Sequence, residues 1–258
     1  MTSDKGGSGS TNRRGPFSEL LRVESKLALR APYGLGLGII FPTVLLAVFG
    51  LIGNAVPGNV ANTGFTILDL YIPIIMVIGF FGVAISALPI PLVRDRESGW
   101  LRRVSTTPVG PSRVLAAQLV LNLAFALVGI VIVLLGSVVV FGATLSVGVY
   151  FVFSTILALA EIFSLGLVVA AIAPSQTAQN AISGVLFFVM LFLSGLWYPA
   201  AEASGPLQTI MYYSPGGAAV NAMLGSVFGT APPLAAVATM VVYAVIFAVV
   251  ATRYFRWE

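Results

Sequence analysis

The chain has 258 residues, of which 58% are hydrophobic and 9% charged, with a formal net charge of +4 and a mean hydropathy of +1.01. A water-soluble domain carries roughly a quarter of its residues as charges, so this composition describes an integral membrane protein. The absence of His and Cys excludes imidazole–thiolate zinc sites, cysteine nucleophiles and Ser-His-Asp triads.

Lys5 and Lys26 are the two lysines, and neither follows a glycine-rich phosphate loop of the G-x-x-x-x-G-K-[ST] type. If nucleotide energy drives this protein, a separate chain must bind the nucleotide. The positive charge reads as membrane topology rather than as a nucleic-acid surface, because basic residues mark the cytoplasmic side. Eleven Arg against two Lys, with much Ala, Val and Gly, suggests a GC-rich bacterial genome.

In chain order, residues 1–16, MTSDKGGSGSTNRRGP, are polar and rich in Gly, Ser and Thr, and are expected to be a disordered cytoplasmic tail. Arg13-Arg14 lacks the following apolar region and cleavage site of a twin-arginine signal. Residues 17–30 have helical periodicity. Phe17, Leu20, Leu21, Val23, Leu27 and Ala28 fall on one face, and Glu19, Arg22, Lys26 and Arg30 on the other, with Glu24 interrupting the apolar side. Too charged to span, this segment is expected to lie in the membrane interface against lipid headgroups.

Six apolar runs follow, at about 33–53, 70–93, 114–141, 149–172, 180–198 and 233–252, each near the roughly 20 residues that a bilayer core requires. The expected architecture is therefore an all-α membrane protein with six transmembrane helices, forming one domain over 17–258. Within the first run, Gly34-x-x-x-Gly38 could mark close packing, although 27 glycines yield such pairs by chance. Six basic residues precede the first run, five lie between the second and third, and two follow the last. The segments 54–69, 142–148 and 199–232 contain none. With six spans this segregation places both termini and the 94–113 loop in the cytoplasm. The opposite segment, 199–232, is mostly apolar and punctuated by Pro199, Pro206, Pro215 and Pro232-Pro233. Short outer re-entrant helices buried against protein are expected there.

The stretch Leu92–Leu115, LVRDRESGWLRRVSTTPVGPSRVL, concentrates five basic residues, an acidic pair and a Trp. A helix over 95–104 is expected, its acids early and its arginines late as the helix dipole favours. Arg94, Glu97 and Leu101 fall on one side, with Arg96, Trp100 and Arg103 on a neighbouring one. Composition leaves open whether this helix docks a partner through Trp100 or is only a topological loop. Glu161, at the middle of the fourth span, is an intramembrane acid and must face protein or a wet cavity. It reads either as a contact for cationic substrate or as a structural acid bonded to a hydroxyl such as Ser164. Phe188, Phe192, Trp197 and Tyr212 could line an apolar route for a substrate, or anchor the outer interface as an aromatic belt.

RDRESGWLRRVSTTPVGPSRVL resembles the loop after the second span of ABC-2 type transporter permeases, which reads acid-Arg-Glu-x-Gly-x-Leu and then Thr-Pro. FLSGLWYPAAEASGPLQTIMYYSPGGAAVNAM, Phe192–Met223, is similar to that family's end of span five and outer re-entrant pair. APSQTAQNAISG after the fourth span is a third, looser match. Together these cover nearly all of residues 17–258. Departures are Asp95 where Glu is commoner, Trp100 in place of a usual Thr or similar residue, and Gly216-Gly217 where bulkier residues are frequent.

The resemblance implies a coupling helix, with Asp95, Arg96, Glu97, Trp100, Leu101 and Arg103 seated in a cleft of a separate ABC ATPase that binds ATP and Mg. It further implies a homodimer of permeases with two ATPases, exporting hydrophobic or amphipathic compounds of drug or antibiotic type across a bacterial cytoplasmic membrane. Export of a lipid-linked glycan or lipid is the rival within the family. A proton-coupled secondary transporter using Glu161 is the rival outside it.

Overall fold

The computed structural model describes residues 25, 32–56, 66–100, 111–200 and 202–254. Apart from Ser25, which is helical, the polar tail and the interfacial helix lie outside the described residues, as do Leu101 and Arg103.

Among the described residues, six helices are long and apolar enough to cross a membrane, in agreement with the six apolar runs. Helix α1 comprises Pro32–Leu35, a π-helical stretch Gly36–Ile40, and Phe41–Ala55. Helix α2 is Ile67–Glu97, interrupted by π-helical Gly82–Ala87. Then come α3 (Pro111–Val139), α4 (Val149–Ile172) and α5 (Gln176–Leu193). The apolar segment after α5 forms two short helices, α6 (Gly205–Tyr213) and α7 (Pro215–Val227), each with a proline in its first turn. Helix α8 is Leu234–Tyr254.

Helix α5 begins earlier than its hydropathy predicts, because the Ser175 hydroxyl caps it by accepting from the Ala178 N–H at 3.2 Å. It also stops earlier, where Gly195 takes a left-handed φ of 87°.

Helix α2 is the axis of the molecule. In its most apolar window 83% of the residues are buried, against 17% for α8 and 22% for α5. Small residues let its neighbours come close. A Cβ on Gly82 would lie 2.7 Å from the Leu37 carbonyl oxygen, and one on Gly166 would strike that of Ala84.

Prolines account for both π-helical stretches. A proline at position i removes the N–H that would bond the carbonyl four residues back, and its ring crowds that carbonyl. Pro42 does this to Gly38, and Pro89 does it to Ile85. The helix widens in response to i→i+5 bonding: the Phe41 N–H reaches Gly36 O, and the Leu88 N–H reaches Val83 O at 2.9 Å.

At one end of the bundle Thr66 and Asp69 form a capping box, with N–H to side-chain distances of 3.0 and 3.2 Å. Nearby, the Ser146 N–H donates to Val227 O at 2.8 Å. Helix α7 is buried along most of its length, and its Ser226 hydroxyl meets that of Ser154 on α4 at 2.8 Å. The opposite end carries Arg94–Glu97 and the turn between α4 and α5.

Candidate functional site

Of the expected helix over 95–104, residues 101–104 lie outside the described residues, and the described part does not start a helix at Asp95. The last stretch of helix α2 runs from Pro89 through Glu97 and is followed by a left-handed residue, Gly99 at φ 68°. There the Ser98 N–H returns to Arg94 O at 2.9 Å and the Gly99 N–H to Arg96 O at 3.0 Å. Trp100, the last residue described before 111, is helical and half-buried. Asp95, Arg96 and Glu97 thus occupy the last turn of a span rather than the first turn of a loop helix. Arginines suit that end of the dipole and acids do not, so the acids need other partners.

Those partners define the site. Asp95 accepts from Arg94 Nε at 3.4 Å. Arg96 reaches across to the end of α4, donating to Ala170 O at 3.2 Å and also to Ala173 O. Glu97 reaches the start of α5, where its Oε2 accepts the Gln176 N–H at 3.2 Å. A cation thereby sits on the carbonyl end of α4, and an anion on the amide end of α5, as the two helix dipoles favour. The end of α2 is clamped to both arms of the α4–α5 turn.

One to two helical turns further along α5 lies a cleft of about 320 Å³, lined by Leu37, Ser86, Ile90, Asn180 and Phe187 together with Gln179 and Ser183. Its polar wall follows from Pro89. The Ile85 carbonyl, deprived of its helical donor, accepts the Ser183 hydroxyl at 2.7 Å. Ser183 Oγ in turn accepts from Gln179 Nε2 at 2.9 Å. Gln179 Oε1 is then left without a partner among the described residues, in a side chain only 1% exposed. An unmet buried acceptor suits a ligand that brings an amine or hydroxyl donor.

The residues singled out from sequence fall elsewhere. Glu161 is fully buried, and neither carboxyl oxygen has a hydrogen-bond partner among the described residues. The expected alternative partner, Ser164, donates instead to Ala160 O at 2.7 Å. Glu161 does not line the cleft. Phe188 and Trp197 stack with centroids 5.6 Å apart and are 66% and 54% exposed, on the outside of the chain beside the exposed Phe192. Tyr212 lines a second, smaller pocket near the far end. Sequence reasoning passed over Ser86, Gln179, Asn180 and Ser183. The signal available was the run of amides and hydroxyls in SQTAQNAIS, in a stretch otherwise apolar enough to span.

With this geometry in place, comparison with known families is decisive: the model of the ABC-2 type transporter family matches residues 16–228, and the chain belongs to that family. It is a membrane-spanning permease component of an ABC transporter, a type of subunit that works with an ABC ATPase. No match was found among curated proteins.

Proposed function

We propose that the chain is the membrane subunit of an ATP-driven exporter of hydrophobic or amphipathic compounds, drug- or antibiotic-like in character. In this reading it works as a homodimer with two copies of a separate ATPase, which bind the ATP and Mg. The end carrying Arg94–Glu97 faces the cytoplasm of a bacterial cell, as the placement of basic residues favours. The ATPase receives the segment 95–104, with Trp100, Leu101 and Arg103 toward it. Helices α6 and α7 then dip into the outer leaflet as re-entrant elements.

The observation that carries this reading is the clamp. Force on the segment beyond Gly99 is delivered to the last turn of α2, and through Arg96 and Glu97 to the α4–α5 turn. Helix α5 leads from there to the cleft within two turns. Asp95, Arg96 and Glu97 in this account pass on motion inside the permease, leaving Trp100 as the main apolar contact for the ATPase. A cleft of this size suits a small amphiphile better than a glycan chain. Proton coupling through Glu161 is disfavoured by its burial away from the cleft.

The test is copurification of the chain with its ATPase. Removing a buried interface aromatic costs about 2 kcal/mol or more, and a rim charge much less. Trp100→Ala should therefore weaken retention of the ATPase far more than Arg102→Ala, with membrane insertion unchanged. Equal retention by both variants would leave the segment as a topological loop.

A further inference from the structure

The twin glycines that depart from the family pattern, Gly216-Gly217, open the first turn of α7. A Cβ on Gly216 would strike Ser194 Oγ, and one on Gly217 would strike the Met211 carbonyl. With glycine at both positions, the end of α5 and the end of α6 lie directly against the amino end of a buried helix of 13 residues. That end carries the positive pole of the helix dipole and amides with no intrahelical acceptor. Pro215 has no N–H, the Gly217 N–H goes to Ser214 Oγ at 3.0 Å, and the Ala218 N–H goes to Ser214 O at 2.9 Å. The Gly216 amide, at the second position of the helix, lies too early in it for an intrahelical acceptor.

A pocket of about 80 Å³ opens beside this turn, walled by Ile74, Ser194, Tyr212, Gly217, Val220 and Asn221. Ser194 is 2% exposed and its hydroxyl has no partner among the described residues. A buried hydroxyl left unpaired is costly, and here it lines a cavity at a helix amino terminus. The wall as a whole offers donors: a hydroxyl, the Asn221 amide and the phenol of Tyr212.

We propose that this pocket is a second ligand site, distinct from the cleft, which binds the acceptor oxygen of an uncharged amphipathic compound, a carbonyl above all. This rests on the reading that the chain handles amphipathic compounds, and it names a class among them. The pocket favours a neutral oxygen over an anion. No Lys or Arg occurs in 54–69 or 199–232, and Asp69 and Glu202 adjoin the pocket's segments in the chain. Unlike the cleft, which presents an unmet acceptor, this site presents an unmet hydroxyl and the positive end of a helix. The two select opposite halves of a hydrogen-bonding ligand.

The test uses the full chain in lipid nanodiscs without its ATPase, so a failure of the exporter reading would leave the outcome intact. The probes are tritiated 6-propionyl-2-(dimethylamino)naphthalene and its 6-propyl analogue, which differ by one carbonyl. Binding is measured against empty nanodiscs. One hydrogen bond corresponds to a preference of about fivefold for the ketone. Ser194→Ala or Asn221→Leu should reduce that preference to about twofold or less, whereas Gln179→Ala in the cleft should leave it unchanged. Equal affinity for the two probes in the wild-type chain would mean that the pocket holds only water, and would overturn the proposal. So would a preference that survives both pocket substitutions, or one that disappears with Gln179→Ala.

Discussion

Arg96 and Glu97 are neighbours in sequence but serve two different helix ends. The guanidinium forks onto carbonyls left open at the end of α4, and the carboxylate caps an amide at the start of α5. Arg94, by contrast, pairs with the adjacent Asp95, a surface arrangement that contributes little. Glu161 is the other charged-type residue of interest. It is completely buried and lies off the wall of the cleft. Glu161→Gln, which keeps the shape, should therefore leave transport of cationic and neutral compounds equally unaffected. Transport assays on matched cationic and neutral substrates check this, and a loss confined to cations would place Glu161 in the pathway after all.

At the scale of elements, the π-helical turn of α2 joins the axis of the bundle to α5. Pro89 strips the Ile85 carbonyl of its donor and Ser183 supplies another from outside the helix. Ser183→Ala should leave that buried carbonyl unpaired and destabilise the chain by about 1–3 kcal/mol. Adding Pro89→Ala should restore part of the loss by returning an N–H to the helix. Thermal unfolding of the purified variants measures both effects; a Ser183→Ala chain as stable as wild type would show that the bond is dispensable. Some of this was legible in the sequence. Six apolar runs and punctuation by proline marked the spans and the two short helices. The prolines at 42 and 89 also held the signal for the π-helical turns, since each removes a specific donor. The end of α2 was not legible. RDRESG reads as the start of a polar loop helix, because partners 74 to 79 residues away, which make it the end of a span, leave no trace in local sequence. The central position of α2 was hidden for another reason. Membrane helices are apolar on every side, so hydropathy does not distinguish a face toward protein from a face toward lipid.

For the whole molecule, one helix is enclosed while α1, α3, α5 and α8 turn broad apolar faces outward, as expected of helices meeting lipid or a second copy. The two ends differ in chemistry. One holds the clamp and the arginines, and the other holds the capping box, the α6–α7 pair and no basic residue in 199–232. Because the chain has no native Cys, its orientation is open to single-cysteine labelling. Ser204→Cys should react with an impermeant thiol reagent in intact cells, and Ser98→Cys should react only after the membrane is opened; the reverse pattern would invert the topology. The central claim is that ATPase motion enters through the segment after α2 and reaches the cleft by way of the clamp. The most direct measurement is the number of substrate molecules moved per ATP hydrolysed by the reconstituted Arg96→Gln transporter. The clamp predicts that the ATPase stays bound and hydrolyses ATP while transport per ATP falls about tenfold, as expected when roughly 1.4 kcal/mol of coupling is lost. An unchanged ratio in a transporter that remains folded would contradict it.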